Sequence, residues 1–439
     1  MLLPTSIHIF YKKLNRPPSV SAWSLALDHE LPKRLVSLDI FRGVTIAGMI
    51  VVNNLKAWTD TPRFPRLSHA QWHGCTLADL IFPLFIFIVG VSTVFAIGRR
   101  VKAGERKAVL YKHVLSRTLI IFLLGLISGS YFLIGWLLQS ICPPAVTQES
   151  IWSIFFSPPA ASEAFYFSLA NLRIMGVLQR IALVYLVVSI LLLHTGWRFQ
   201  AALAAALLLS YWALMTLIPG FPLEPGEDLG ALLDRTVFGE QHLWRFTRTW
   251  DPEGLFSTLP AIATGLCGAL TGEWLSGQRD HRDTLIGIFI FGFFGILIGA
   301  LWGFVFPLNK YLWTSSYAVY TAGFGLMFLG FWYWLTDLEQ ANPPWAWPFV
   351  WLGMNPILAY CGAQIGAVAL GALYIGTPGS HTHLFTLITD PIFGANWDVA
   401  GLTKWRDPRW PSLYWALIYL SFWTLLSGLL YRRRIFLKI

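Results

Sequence analysis

The sequence predicts an all-α fold, a polytopic membrane bundle of about ten transmembrane helices with both termini cytoplasmic, and three observations predict it. First, 55% of the 439 residues are hydrophobic and 13% are charged, with a mean hydropathy of +0.56. A soluble protein keeps about 25% charged residues to cover its surface, so lipid must cover much of this one. Second, Leu77–Gly98, Thr118–Leu138, Leu183–Leu193 and Thr284–Phe306 hold apolar stretches of the kind a spanning helix of roughly 20 residues requires. Third, no period-2 alternation runs through them, which excludes a β-barrel. The same composition excludes a soluble enzyme, a disordered chain and a secreted disulfide scaffold.

In chain order, Met1–Tyr11 is apolar for too short a stretch to span and leads into Lys12 and Lys13. Residues 1–33 therefore read as an uncleaved cytoplasmic lead-in and 34–439 as the membrane domain. The predicted spans are 38–57, 77–98, 116–138, 173–193, 200–218, 255–275, 284–306, 314–335, 349–373 and 411–431, each bounded by charge, Pro or Gly. Basic residues set the orientation. Lys33 and Arg34 precede the first span, and Arg99, Arg100, Lys102, Arg106, Lys107 and Lys112 fill the second-to-third connection. Arg279 and Arg282 follow the sixth, and Arg432, Arg433, Arg434 and Lys438 follow the last. All fall on the cytoplasmic side of a ten-span bundle. The formal net charge of +9 is thus an orientation signal, and no nucleic-acid partner is expected. Segments 58–76, 139–172, 219–254, 307–313 and 374–410 come out extracytoplasmic.

Polar groups at or inside a span are costly and so mark candidate function. Asp39 and Arg42, three apart at the inner start of span one, are either a neutralised pair that fixes the helix end or a site for phosphates entering from the cytoplasm. Asn53 and Asn54 end that span, and His69, His73 and Asp79 bracket the start of the next. An imidazole takes a proton near neutrality, a neighbouring carboxylate sets its tautomer, and an Asn amide donates to a developing oxyanion. A packing role for a histidine at the interface competes with this reading. The spacing of His69, His73 and Cys75 admits zinc, but no further ligand cluster supports a metal. Cys75, Cys142, Cys267 and Cys361 form no C-x-x-C pair, and a bridge between Cys75 and Cys142 on the outer side stays open.

Arg180, with Gln179, lies within the outer part of span four. Asp251 and Glu253 make an acidic turn after a loop rich in Trp and Arg, which suits a cationic amino sugar and equally suits a capped helix start. Asn309 and Lys310 sit in a short outer hairpin, as ligand contacts or as part of an aromatic-belt turn. Asn355-Pro356 interrupts span nine, where freed backbone must be satisfied or line a cavity.

Taken in order, these strings resemble the heparan-α-glucosaminide N-acetyltransferase family and its bacterial members. They are Ser37-Leu38-Asp39-x-Phe41-Arg42-Gly43, Val52-Asn53, His69-Ala70-x-Trp72-x-Gly74-x-Thr76-x-Ala78-Asp79-Leu80-x-Phe82-Pro83, Gly176-Val177-Leu178-Gln179-Arg180, Asp251-Pro252-Glu253-Gly254-Leu255, Pro307-Leu308-Asn309-Lys310-x-Leu312-Trp313-Thr314-Ser315 and Gly353-Met354-Asn355-Pro356. The resemblance covers the chain from about Arg34 onward. It implies transfer of the acetyl group of cytosolic acetyl-CoA to the amine of a terminal glucosamine across the membrane, a homodimer, and an essential histidine. That histidine falls on His69, in the slot before Ala70-x-Trp72, and the family's active-site asparagine falls on Asn53.

Two departures follow. Trp72-His73-Gly74 stands where the animal enzyme has Trp-Asn-Gly, and only a short lead-in precedes Arg34, where that enzyme has a lumenal domain. The expected acceptor is therefore a small amino sugar or cell-wall fragment, and the expected location a bacterial inner membrane. On this reading His69, Asn53 and Asp79 are catalytic and Asp39, Arg42, Arg180 and Asn355 contact acetyl-CoA. His73, Asp251, Glu253, Asn309 and Lys310 contact the acceptor. An amino-sugar secondary transporter and a membrane O-acetyltransferase of a polysaccharide hydroxyl are the alternatives.

Overall fold

The computed structural model describes residues 35–55, 64–130, 171–341, 343–372, 374–377, 380–393 and 409–437. The predicted lead-in, Lys33, Arg34, Cys142, nearly all of 139–172 and much of 374–410 lie outside the described residues.

The described helices are α1 (Val36–Asn54), α2 (Leu77–Lys102), α3 (Lys107–Gly129), α4 (Val177–His194), α5 (Trp197–Leu217), α6 (Leu229–Phe238), α7 (Thr258–Leu275), α8 (His281–Trp302), α9 (Ser315–Trp332), α10 (Trp347–Met354), α11 (Pro356–Ala372), α12 (Leu384–Phe393) and α13 (Arg409–Arg432). Between α11 and α12 the strands β1 (Tyr374–Thr377) and β2 (Ser380–His383) make a small antiparallel hairpin, with Tyr374 opposite His383.

Eight described helices are long and apolar enough to cross a membrane: α1 to α5, α8, α9 with its continuation to Leu338, and α13. Helices also occupy the other two predicted spans. Helix α7 is surrounded by protein along most of its length, so Thr264, Thr271 and its glycines meet other helices and it needs no lipid-facing apolar surface. Span nine is broken at Asn355 into α10 and α11, because Pro356 cannot donate to the preceding turn. Predicted span boundaries at the inner end fall short. Arg99, Arg100 and Lys102 belong to the last turn of α2, where cations complement the helix dipole, and α3 begins at Lys107.

Helices α2 and α7 form the centre. Phe87, Ile88, Val91 and Val94 of α2 are fully enclosed, as are Ala261, Leu266 and Ala269 of α7. Glycines let the two backbones touch: a Cβ on Gly90 would lie 2.1 Å from the Gly265 carbonyl oxygen, and one on Gly268 2.0 Å from that of Phe87. The α1–α10 contact is built the same way at Gly43 and Gly353. Helix α8 packs at the rim and leaves Phe291, Phe294, Leu297 and Leu301 exposed, the composition of a lipid-facing surface.

The N-terminus of α1 has no cap of its own. Beyond α9 the chain winds as a π-helix over Tyr333–Leu338, and Asp337 there accepts from the Val36 and Ser37 amides at 2.9 and 3.0 Å.

Candidate active site

Two polar clusters form, one at each end of α1 and α2. At the predicted inner end, Arg42 donates to the Gly353 carbonyl at 3.0 Å and to Ser92 Oγ at 2.9 Å, with Asp39 at 3.5 Å. Asn355 beside it clasps the segment after α13, donating to the Ile435 carbonyl at 3.1 Å and accepting from the Leu437 amide at 2.9 Å. Arg42 is half-buried.

The outer cluster starts from the way α2 begins. Thr76 and Asp79 form a capping box, and Asp79 Oδ2 accepts from the Thr76 and Ala70 amides, each at 3.0 Å, while the Thr76 hydroxyl, 3.0 Å from the same oxygen, donates to the Ser68 carbonyl at 2.7 Å. Two backbone amides on one oxygen suit an ionised carboxylate, which can only accept. The other oxygen lies 2.8 Å from His69 Nδ1, so that nitrogen carries the proton and Nε2 keeps its lone pair. The cap that starts the helix therefore also sets the tautomer of the histidine. The Asp79 side chain is 1% exposed and that of His69 24%, which leaves the carboxylate shielded and the ring open to a ligand.

A second loop closes on this one. The Gly74 amide donates to the Leu308 carbonyl at 2.7 Å, and Tyr311 OH donates to the Ala70 carbonyl at 3.1 Å. These ties bring Lys310 Nζ to 3.0 Å from Nε2 and 3.1 Å from Nδ1 of His69, against 3.9 Å from Asp79 Oδ1. Asn309 is fully buried and lies 3.4 Å from His73 Nδ1, while its Oδ1 accepts from the Leu312 amide at 3.0 Å. Trp72 stacks on Tyr311 with ring centroids 5.4 Å apart, and Trp250 meets both rings edge-on. Cys75 is a free thiol there, and burial, helped by the Asp79 charge, pushes its pKa up to about 12.

The acidic turn forms the wall behind Trp250. Arg173 binds Asp251 at 2.5 Å and Glu253 at 2.5 Å, so the structure supplies these acids with an internal cation. Burial works against ionisation of Glu253, but Arg173, Arg180 and Lys310 outweigh it and hold its pKa below the usual carboxylate range. Arg180, fully enclosed, donates to the Gly254 carbonyl and to Ser257 Oγ and lies over the Trp313 ring. Asp234 accepts from the Leu255 amide at 2.8 Å, and burial drives its pKa up to about 7.

The predicted site residues thus divide. His69, Asp79, His73, Asn309 and Lys310 come together, and Asp251 and Glu253 adjoin them. Asp39, Arg42 and Asn355 gather at the opposite end. Arg180 joins the outer wall, not Arg42. Asn53 is exposed near the C-terminal end of α1, in a small cleft with Ile50, Asn54, Tyr360, Ala363 and Gln364, and no hydrogen bond among the described residues joins it to His69. Sequence reasoning missed Arg173, whose only signal was a lone cation ahead of an acid-rich outer turn, and Thr76, legible as the first residue of a T-x-x-D cap.

A family model described as heparan-alpha-glucosaminide N-acetyltransferase, catalytic, matches residues 34–297, more than half of the chain and the whole of the His69–Asp79 loop. The chain belongs to this family. It is 24% identical over 464 residues to heparan-alpha-glucosaminide N-acetyltransferase of Mus musculus, covering 92% of this chain and 60% of that protein. To the Homo sapiens protein of the same name it is 25% identical over 478 residues, covering 95% and 61%. The chain therefore spans about three-fifths of the length of the curated relatives it matches. The family is one of membrane acetyltransferases, and the apolar helices make this member an integral membrane protein.

Proposed function

We propose that the chain is a transmembrane N-acetyltransferase that moves the acetyl group of cytosolic acetyl-CoA to the amine of a glucosamine-type sugar on the extracytoplasmic side. The observation that carries the reading is the His69–Asp79 pair, an imidazole whose Nδ1–H is committed to a buried carboxylate, so that Nε2, with Lys310 Nζ 3.0 Å away, is the nitrogen that acts as base. Ten passes with both termini cytoplasmic put this pair outside and Arg42 inside, in the inner membrane of a bacterium, and the protein acts as a homodimer.

Acetyl-CoA is a substrate here, and the inner end suits its phosphates. Arg42 is held by Ser92 and Gly353, and Arg99, Arg100 and Lys102 end the neighbouring helix. The acyl arm reaches between helices towards Asn53, which orients the carbonyl. The acceptor enters at Trp72, Tyr311 and Trp250, with His73, Asn309, Asp251 and Glu253 around the mouth. His69 Nε2 takes the proton as the amine attacks the thioester carbon, the C–S bond breaks, and the thiol leaves.

Purified protein supplied with labelled acetyl-CoA and glucosamine tests this. Formation of N-acetylglucosamine is expected, lost in His69→Ala and reduced more mildly in His73→Ala; full turnover in His69→Ala refutes the assignment. Movement of unmodified sugar without acetyl-CoA identifies a transporter instead, and an alkali-labile product an O-acetyltransferase.

A further inference from the structure

The position of Lys310 carries more than a contact with the acceptor. A lysine placed only to neutralise Asp79 would close on the carboxylate, yet Nζ stays 3.9 Å from Asp79 Oδ1 and lies 3.0 and 3.1 Å from the two ring nitrogens of His69. Nearly equal distances to Nε2 and Nδ1 place the ammonium across both ring nitrogens. The loop that holds it is rigid. The Trp313 amide donates to the Lys310 carbonyl at 3.2 Å, Asn309 and Thr314 exchange hydrogen bonds at 3.1 Å, and Thr314 Oγ1 donates to the Pro307 carbonyl at 2.8 Å. The Lys310 side chain is 13% exposed, so its charge is poorly screened.

We propose that Lys310 is a catalytic residue of this site: its ammonium stabilises the anionic oxygen that develops on the acyl carbonyl and drives the proton collected by His69 on to the leaving thiolate. This rests on the acetyl-transfer reading. The amine nitrogen forms its bond to the carbonyl carbon while the C=O electrons move to oxygen beside Nζ. His69 Nε2 takes the amine proton, and the new imidazolium lies against a second cation. When the C–S bond breaks the pair goes to sulfur, which receives that proton, and His69 returns to the neutral form. Among the described residues, Asp79 from α2 and Lys310 from the α8–α9 loop are charged groups on the ring, Glu253 interacts with Lys310, and Cys75, His73 and Tyr311 are further titratable groups of the two loops.

The test is steady-state acetylation of glucosamine by the full-length protein in lipid nanodiscs, comparing wild type with Lys310→Met and Lys310→Arg across pH. Lys310→Met is expected to lose about 100-fold or more in kcat, the order seen when one oxyanion donor is removed, with little change in the glucosamine KM. The acidic limb of its pH profile moves to higher pH, because the imidazolium loses its opposing charge, and Lys310→Arg restores the limb and part of kcat. A raised KM with unchanged kcat, or an unmoved acidic limb, overturns the proposal and leaves Lys310 as an acceptor contact. If Lys310→Met does not fold, Lys310→Gln gives the same reading. A wild type that transfers no acetyl group refutes the underlying function, a different outcome from a wild type that works beside an equally fast Lys310→Met.

Discussion

Replacing Asp79 with asparagine separates the two duties of this residue. An amide offers one acceptor oxygen and one NH2 group where the carboxylate offers two acceptors. If the NH2 faced Ala70 and Thr76, the two amides now on Oδ2 would meet another donor. The amide therefore turns its NH2 towards His69, where one bond is affected. The cap survives with neutral hydrogen bonds in place of charge-assisted ones, a loss of about 1 kcal/mol for each of the three, or roughly 2–3 kcal/mol in all once partial relaxation is allowed. The effect on His69 is of another kind. Facing an NH2 group, Nδ1 must accept, so the ring proton moves to Nε2 and the base is gone. An aspartate-to-asparagine change that reverses a catalytic histidine's tautomer costs on the order of 10⁴ in kcat. The variant should stay folded and be almost inactive. The assay is release of CoA thiol in the presence of glucosamine, with thermal unfolding measured in the same detergent. An Asp79→Asn protein within tenfold of wild-type kcat would refute the tautomer argument, and one as stable as wild type would refute the reading of the cap as charge-assisted.

Other outcomes follow from the acidic wall and the thiol. Arg173→Ala leaves Asp251 and Glu253, 1% and 9% exposed, without their cation and should destabilise the protein by about 3–5 kcal/mol, read as a fall in unfolding temperature at pH 7. Glu253, its pKa held low in the folded state, contributes stability present at neutral pH and lost on acidification through that folded value. Asp234 runs the other way: its folded pKa of about 7 lies above the ordinary aspartate value of 3.8, so its contribution is full below the lower figure and is lost as pH rises through the upper one. Asp234→Asn should thus be more stable than wild type at pH 8 and show no such gain at pH 4; equal differences at both pH values would rule this out. Cys75, with a pKa near 12, should resist iodoacetamide at pH 8 in the folded protein and react after unfolding.

What was legible in the sequence follows from which interactions are local. Spans that face lipid announce themselves, because lipid demands an unbroken apolar surface; α8 is the clearest case. Helix α7 was harder, since a helix wrapped by α2, α4, α5 and α9 can carry Gly, Thr and Glu273. The site follows the same rule. The relation of Thr76, Asp79 and His69 lies within one short segment, and a capping motif with a nearby histidine shows it. The ties of Arg173 to Asp251 and Glu253, and of Lys310 to His69, cross 78, 80 and 241 positions of chain. Nothing local distinguishes a lysine that touches an acceptor from one that lies on a histidine. Asp251 and Glu253 read equally as a site for a cationic sugar and as a capped helix start, because the cation that binds them, Arg173, belongs to a distant segment.

The two polar clusters also constrain one another through helix geometry. Arg42 and Asn53 share α1, eleven residues apart, which at about 1.5 Å per residue separates them by roughly 17 Å along the axis. Ser92, bonded to Arg42, and Asp79, bonded to His69, share α2 and are thirteen residues apart, roughly 20 Å. The two helices thus give similar spans, from Arg42 to Asn53 along α1 and from the partner of Arg42 to the partner of His69 along α2. A donor serving both ends has to be anionic at one end, reactive at the other, and nearly uncharged for the distance between, because the core residues along α2 are apolar and buried. An acyl thioester on a long flexible arm with phosphates at its far end meets all three requirements. A free acyl phosphate, short and charged at the reacting end, meets none beyond its anion. The spacing of the clusters therefore supports the proposed class of donor independently of the family match, with Arg42 and His69 proposed at opposite ends of one substrate.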